Sequence, residues 1–123
     1  MTDSHVVIID DDHSLRAALV GLVRSFGYTS HGFSSAEDYL AAPPPSDCIV
    51  TDIHMGGLSG IDLKNELVRR GVATPVIMIT ARADPGLEER ARASGATCFL
   101  RKPFEVNDLI KCIETALQQP KPG

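Results

Sequence analysis

The chain has 123 residues, 43% of them hydrophobic and 23% charged, with a formal net charge of −4 at pH 7. That is the size of one domain able to bury a core without staples, and the balance is globular, with no apolar run of membrane-spanning length. The acidity, with Arg69-Arg70 and Arg90/Arg92 interspersed with Glu, excludes the concentrated basic footprint of a nucleic-acid surface.

Residues 1–5 carry no basic segment leading into an apolar stretch, so no secretory leader is expected and the cytoplasm is the expected compartment. His5-Val6-Val7-Ile8-Ile9 is a continuous apolar run, as in a strand covered on both faces. Leu15, Ala18, Leu19, Leu22, Val23 and Phe26 then recur at helical spacing, and Gly27 supplies a stop. Residues 28–33 read as a second, weaker strand. Ser35-Ala36-Glu37-Asp38 opens a short helix with a capping-box-like pattern, predicted to end near Ala42. Pro43-Pro44-Pro45 forces an extended connection.

Cys48-Ile49-Val50-Thr51 is a third strand. Gly56-Gly57 and Gly60 read as a flexible loop, and a helix over 63–70 is stopped by Gly71. Pro75-Val76-Ile77-Met78-Ile79 is a fourth strand. Asp84-Pro85 places a cap residue before a proline at the first helical position, predicting a helix from there to about Ser94. Thr97-Cys98-Phe99-Leu100 is a fifth strand, and Leu109, Cys112, Ile113, Ala116 and Leu117 form one face of a last helix. Residues 1–119 are read as one domain and 120–123 as a tail or the start of a linker. The three cysteines have no metal-ligand spacing, and Cys48 and Cys98 are expected as buried thiols. His5, His13, His31 and His54 are scattered and show no metal spacing either.

This alternation predicts an α/β domain of (βα)₅ type. Parallel strands need crossovers, and each gap is long enough for a helix. Five units suit an open doubly wound, flavodoxin-like sheet of order 2-1-3-4-5 rather than an eight-stranded barrel. Ligands of such sheets bind beyond the C-terminal strand ends, so the residues there matter most. They are Asp10-Asp11-Asp12, Asp52, Thr80 and Arg101-Lys102-Pro103. In the order 2-1-3-4-5 the acidic groups converge, with Thr80 and Lys102 on the far side.

Each residue alone has an ordinary structural reading. Asp10-Asp11-Asp12 before a helix fits a cap with favourable dipole charges, and Asp52 fits a loop. Together they describe a site. Clustered carboxylates cannot all stay ionised without a cation, and Mg²⁺ is the hard, oxygen-seeking choice. A carboxylate beside such an ion can attack a phosphoryl group. The ion, the Lys102 ammonium and the Thr80 hydroxyl then supply three partners for the phosphoryl oxygens.

Ile8-Ile9-Asp10-Asp11-Asp12, Val50-Thr51-Asp52-Ile53-His54-Met55, Ile79-Thr80-Ala81 and Lys102-Pro103-Phe104 resemble the motifs of two-component receiver domains over nearly the whole chain. The resemblance implies a CheY-like fold and Asp52 as phosphoacceptor. It implies Asp11, Asp52 and the His54 backbone carbonyl as direct Mg²⁺ ligands, with Asp10 acting through water. It further implies Lys102 on the phosphoryl group, a cis Lys102–Pro103 peptide, and Thr80 with Phe99 as a pair that reorients on phosphorylation. The implied partners are a sensor histidine kinase, a second copy through the face spanning 84–117, and an effector domain outside this chain, DNA-binding by nearest likeness. Such a domain is a phosphoacceptor controlling an output, not a turnover enzyme. Two residues depart from the pattern: Asp12 stands where Glu is frequent, and Gly56 where a proline commonly follows the Met. Gly56 beside Gly57 is expected to loosen the loop after Asp52.

Three alternatives compete with this reading. A haloacid-dehalogenase-like phosphatase would use Asp10 as nucleophile and Asp12 as acid, but it leaves Asp52 idle, offers only Asp108 as a further acid and has no substrate cap. A flavodoxin-like cofactor module would need a Gly/Ser/Thr-rich loop where Asp10-Asp11-Asp12 stands. A degenerate receiver serving only as an interaction surface would have no need of the intact residue set.

Overall fold

A computed structural model describes residues 4–118, and the tail read at 120–123 lies outside them. The elements are β1 (His5–Ile9), α1 (His13–Ser25), β2 (Thr29–Phe33), α2 (Ala36–Ala41), β3 (Cys48–Asp52), α3 (Gly60–Arg69), β4 (Val76–Thr80), α4 (Leu87–Ala93), β5 (Cys98–Arg101) and α5 (Val106–Gln118). The strands form one parallel five-stranded sheet of order β2-β1-β3-β4-β5, as expected. Among the described residues no helix is long and apolar enough to cross a membrane.

The alternation of side chains along each strand feeds two cores. Val7, Ile9, Ile49 and Met78 pack with Tyr39, Leu63, Leu67, Leu87 and Ala91, so α2, α3 and α4 cover one face. Val6, Ile8, Val50, Ile77 and Ile79 pack with Leu19, Val23, Leu109 and Ile113, so α1 and α5 cover the other. Each fully buried aliphatic side chain contributes roughly 1.5–3 kcal/mol, which is why the strands read as unbroken apolar runs. Cys48 is buried as expected, but Cys98 is only partly buried, because β5 is an edge strand.

Two helix starts differ from expectation. The Ser59 side chain accepts the Asp62 N–H and the Asp62 carboxylate accepts the Ser59 N–H, a full capping box, so α3 begins at Gly60 inside the supposed loop. Asp84 does not cap α4. The chain turns first, with the Asp84 carbonyl accepting the Leu87 N–H, and enters the helix through Gly86 at φ +75°. Pro85 is therefore not the first helical residue. The glycine loop is also tethered rather than free, because Glu37 of α2 accepts the Leu58 N–H at 3.1 Å.

Gly60 has a specific steric role. A Cβ there would lie 2.8 Å from the Asp52 carbonyl oxygen and 3.1 Å from Thr51 Cγ2, whereas one at Gly56 would meet nothing within 4 Å. Gly60→Ala is expected to cost about 1–3 kcal/mol in thermal denaturation. Gly56→Ala is expected to stay within about 0.5 kcal/mol of the parent.

Candidate functional site

The strand register places the polar residues in one row. Ile9 pairs with Thr51, Asp52 with Ile79, and Thr80 with Arg101. The next residues along, Asp10 and Lys102, therefore flank Asp52 at the C-terminal edge.

Asp10 is buried, and its Oδ1 accepts the Asp12 N–H at 2.9 Å. Its main chain is fixed too, since Arg16 of α1 donates to the Asp10 carbonyl at 2.7 Å. Asp52 is buried at the end of β3; its Oδ1 accepts the His54 N–H at 3.2 Å. Lys102 Nζ lies 2.8 Å from Asp52 Oδ2 and 3.5 Å from Asp10 Oδ2. Asp11 is exposed at the mouth, and one oxygen from each of Asp10, Asp11 and Asp52 lies within 4.8 Å of the others. Asp12 does something else: its carboxylate accepts the Leu15 N–H at 3.1 Å and caps α1.

The electrostatics follow from this crowding. Burial pushes the Asp10 carboxyl above its ordinary range, and Asp52 adds to the rise against the Asp12 N–H and the Lys102 charge. Burial also works against the Lys102 charge, yet its hydrogen bond to Asp52 and the nearby carboxylates prevail and hold the ammonium above the usual lysine range. Three carboxylates against one ammonium leave two negative charges uncompensated. Hard oxygen donors in this excess, one of them exposed, fit a divalent cation such as Mg²⁺.

Thr80 is fully buried at the end of β4. Its Oγ1 accepts the Arg82 N–H at 3.0 Å and lies 3.0 Å from His54 Nδ1. Phe99 does not sit directly opposite Thr80. It pairs with Met78, two positions back, and lies partly buried against the α2–α4 core, on the sheet face that Thr80 shares by alternation. The Lys102–Pro103 peptide is cis.

Sequence reasoning did not find the Arg16 contact to Asp10, the Glu37 tether or the bond between His54 and Thr80. Only the last had a local signal, the position of His54 two residues after Asp52. A hollow of about 590 Å³ lined by Leu40, Leu58, Asp62 and Arg69 among others holds none of the predicted site residues.

A family model described as the response regulator receiver domain matches residues 6–114. The transcriptional regulatory protein FixJ of Bradyrhizobium diazoefficiens is 36% identical over 124 residues, covering 99% of this chain and 60% of the relative. The response regulator protein TodT of Pseudomonas putida is 35% identical over 117 residues, covering 94% of this chain and 52% of the relative. The chain thus spans about half the length of the curated relatives it matches. The crystal structure of FixJ-N superposes with a TM-score of 0.90 at 32% identity, covering 99% of both chains.

Proposed function

The chain belongs to the response regulator receiver family, and on that premise we propose that it takes a phosphoryl group onto Asp52 from the phosphohistidine of a sensor kinase. The observation that supports this most is the convergence of Asp10, Asp11 and Asp52 on one spot with Lys102 Nζ 2.8 Å from the Asp52 carboxylate. Asp52 rather than Asp10 is the exchangeable nucleophile. Both accept a main-chain N–H through Oδ1, but Lys102 Nζ stands 2.8 Å from Asp52 Oδ2 and 3.5 Å from Asp10 Oδ2, and Asp12 is occupied as a helix cap, which argues against the phosphatase alternative.

An Asp52 oxygen attacks phosphorus, the P–N bond breaks, and its electron pair returns to the donor imidazole. The product is an acyl phosphate and a free histidine on the kinase. His54 N–H orients Asp52 Oδ1, and Lys102 moves its contact from the carboxylate to a phosphoryl oxygen as charge shifts outward. Asp11, Asp52 and the His54 carbonyl would hold Mg²⁺ directly and Asp10 through water. When bound, the ion offsets the repulsion between carboxylate and phosphoryl oxygens.

The Thr80 hydroxyl is the remaining donor, and turning it toward the phosphoryl group draws Thr80 inward on the face that also carries Phe99. The Phe99 ring follows, and the surface over residues 84–117 changes to admit a second copy or to act on an output domain such as a DNA-binding one. The reaction is stoichiometric signalling, with no turnover of a free substrate, and the compartment that fits it is the cytoplasm. With Mg²⁺ and acetyl phosphate the protein is expected to gain the mass of one phosphoryl group, and chelation is expected to prevent the gain. An unchanged intact mass in the presence of both would contradict the reading.

A further inference from the structure

We propose that the His54 ring restrains the Thr80 hydroxyl in the unphosphorylated protein and so sets how readily Thr80 turns to the phosphoryl group. This rests on the reading of Asp52 as phosphoacceptor.

A threonine hydroxyl has one proton to give and two lone pairs. Thr80 Oγ1 already accepts the Arg82 main-chain N–H at 3.0 Å. Its other neighbour is His54 Nδ1, also at 3.0 Å. The opposite ring nitrogen, Nε2, faces Asp84 Oδ2 at 3.5 Å. A carboxylate beside Nε2 favours the tautomer with the ring proton on that nitrogen, and we take this tautomer, in which Nδ1 is an acceptor. The Thr80 hydroxyl therefore gives its single proton to His54. A phosphoryl oxygen is likewise an acceptor only. The two acceptors compete for one proton, and Thr80 serves the second only by leaving the first.

The place of the ring in the fold makes this exchange consequential. His54 follows β3 and Asp84 follows β4, so the ring bridges the loops that leave Asp52 and Thr80. Arg82 Nη1 also reaches Asp84, at 3.9 Å. Asp84 is thereby committed to this bridge instead of capping α4, and the helix starts two residues later through Gly86. When the hydroxyl leaves Nδ1, the ring loses the hydrogen bond that fixes its plane, and with it the fixed position of the nitrogen that Asp84 faces. His54 is thus a positioning residue acting through Thr80, at the entrance to the face over residues 84–117.

Two substitutions separate the hydrogen bond from the bulk of the ring, and both keep the main-chain groups of residue 54. His54→Phe keeps a ring but has no acceptor. His54→Asn offers Oδ1 in place of Nδ1. Each is titrated with beryllofluoride and Mg²⁺ while amide NMR signals of residues 84–117 are followed, in the parent and in a Thr80→Val background. His54→Phe is expected to lower the half-saturating beryllofluoride concentration about fivefold, the effect of removing one competing hydrogen bond, and His54→Asn to restore the parent value. In the Thr80→Val background the Phe substitution is expected to have no effect. The ring ¹⁵N shifts of the free protein are expected to show an unprotonated Nδ1 that changes at saturation. Equal half-saturation for parent and His54→Phe overturns the restraint while leaving the Asp52 reading intact. A fivefold gain that persists with Thr80→Val overturns it in favour of better access to the site, as does a protonated Nδ1. Absence of beryllofluoride binding in every protein overturns both the restraint and the Asp52 reading.

Discussion

Asp52→Asn is expected to reduce phosphorylation by acetyl phosphate and Mg²⁺ by at least about 10³-fold, the scale seen when a nucleophile is removed. The substitution is close to isosteric. An asparagine Oδ1 still accepts the His54 N–H, which at present reaches Asp52 Oδ1 at 3.2 Å, so the local main chain has no reason to move. What is lost is the carboxylate oxygen that now faces Lys102 at 2.8 Å, the proposed nucleophile, and one of the three charges that converge there. Intact-mass measurement on the variant is the check, with circular dichroism to establish that the fold persists. Phosphoryl uptake equal to that of the parent would remove Asp52 from the reaction.

Asp11→Ala is expected to weaken Mg²⁺ binding about 100-fold or more, because it deletes the one exposed carboxylate of the cluster. Binding to the folded state stabilises by mass action, about 2.7 kcal/mol at one hundred times the dissociation constant, so the parent should show a clear rise in Tm with Mg²⁺ and the variant almost none. Without metal the order reverses modestly, since removing a charge relieves repulsion on Asp10 and Asp52. The pH dependence has a definite sign. Burial, helped by Asp52, raises Asp10 above the 3.8 of a free aspartate, so its stabilising protonated form is present at low pH and is lost as pH rises through that raised range. The metal-free protein should lose stability over that interval and Mg²⁺ should restore it. Indistinguishable Mg²⁺ melting series for parent and Asp11→Ala would show that these carboxylates do not form the metal site.

The strands and the strand-end residues were legible because their signals are local and periodic. An unbroken run such as Pro75-Val76-Ile77-Met78-Ile79 can hardly be anything but a doubly covered strand, and the residue after each such run falls at the ligand-binding edge. The parallel order then brings Asp10 and Asp52 together without further information. The start of α3 was present as Ser59 and Asp62 but was obscured by the glycines around it. The start of α4 was misread because Asp84-Pro85 fits a cap so well in isolation; the carboxylate is drawn instead to His54 and Arg82, which only the folded chain brings near. The Glu37 contact to Leu58 and the Arg16 contact to the Asp10 carbonyl span elements in the same way, so no spacing rule reveals them. Each of these contacts positions the strand-end residues more firmly than composition suggests. The loop after Asp52, which its paired glycines would loosen, is held by Glu37.

The location of the phosphoryl group can be read chemically on the unmodified sequence. Borohydride reduces an acyl phosphate of aspartate to homoserine, leaving a permanent mark on the acceptor that peptide mass spectrometry can place. After treatment with Mg²⁺ and acetyl phosphate, homoserine at position 52 and nowhere else is the predicted result. Homoserine at position 10, 11 or 12, or a phosphoryl group that resists reduction because it sits on a histidine or hydroxyl, would contradict the assignment of Asp52 as the phosphoacceptor.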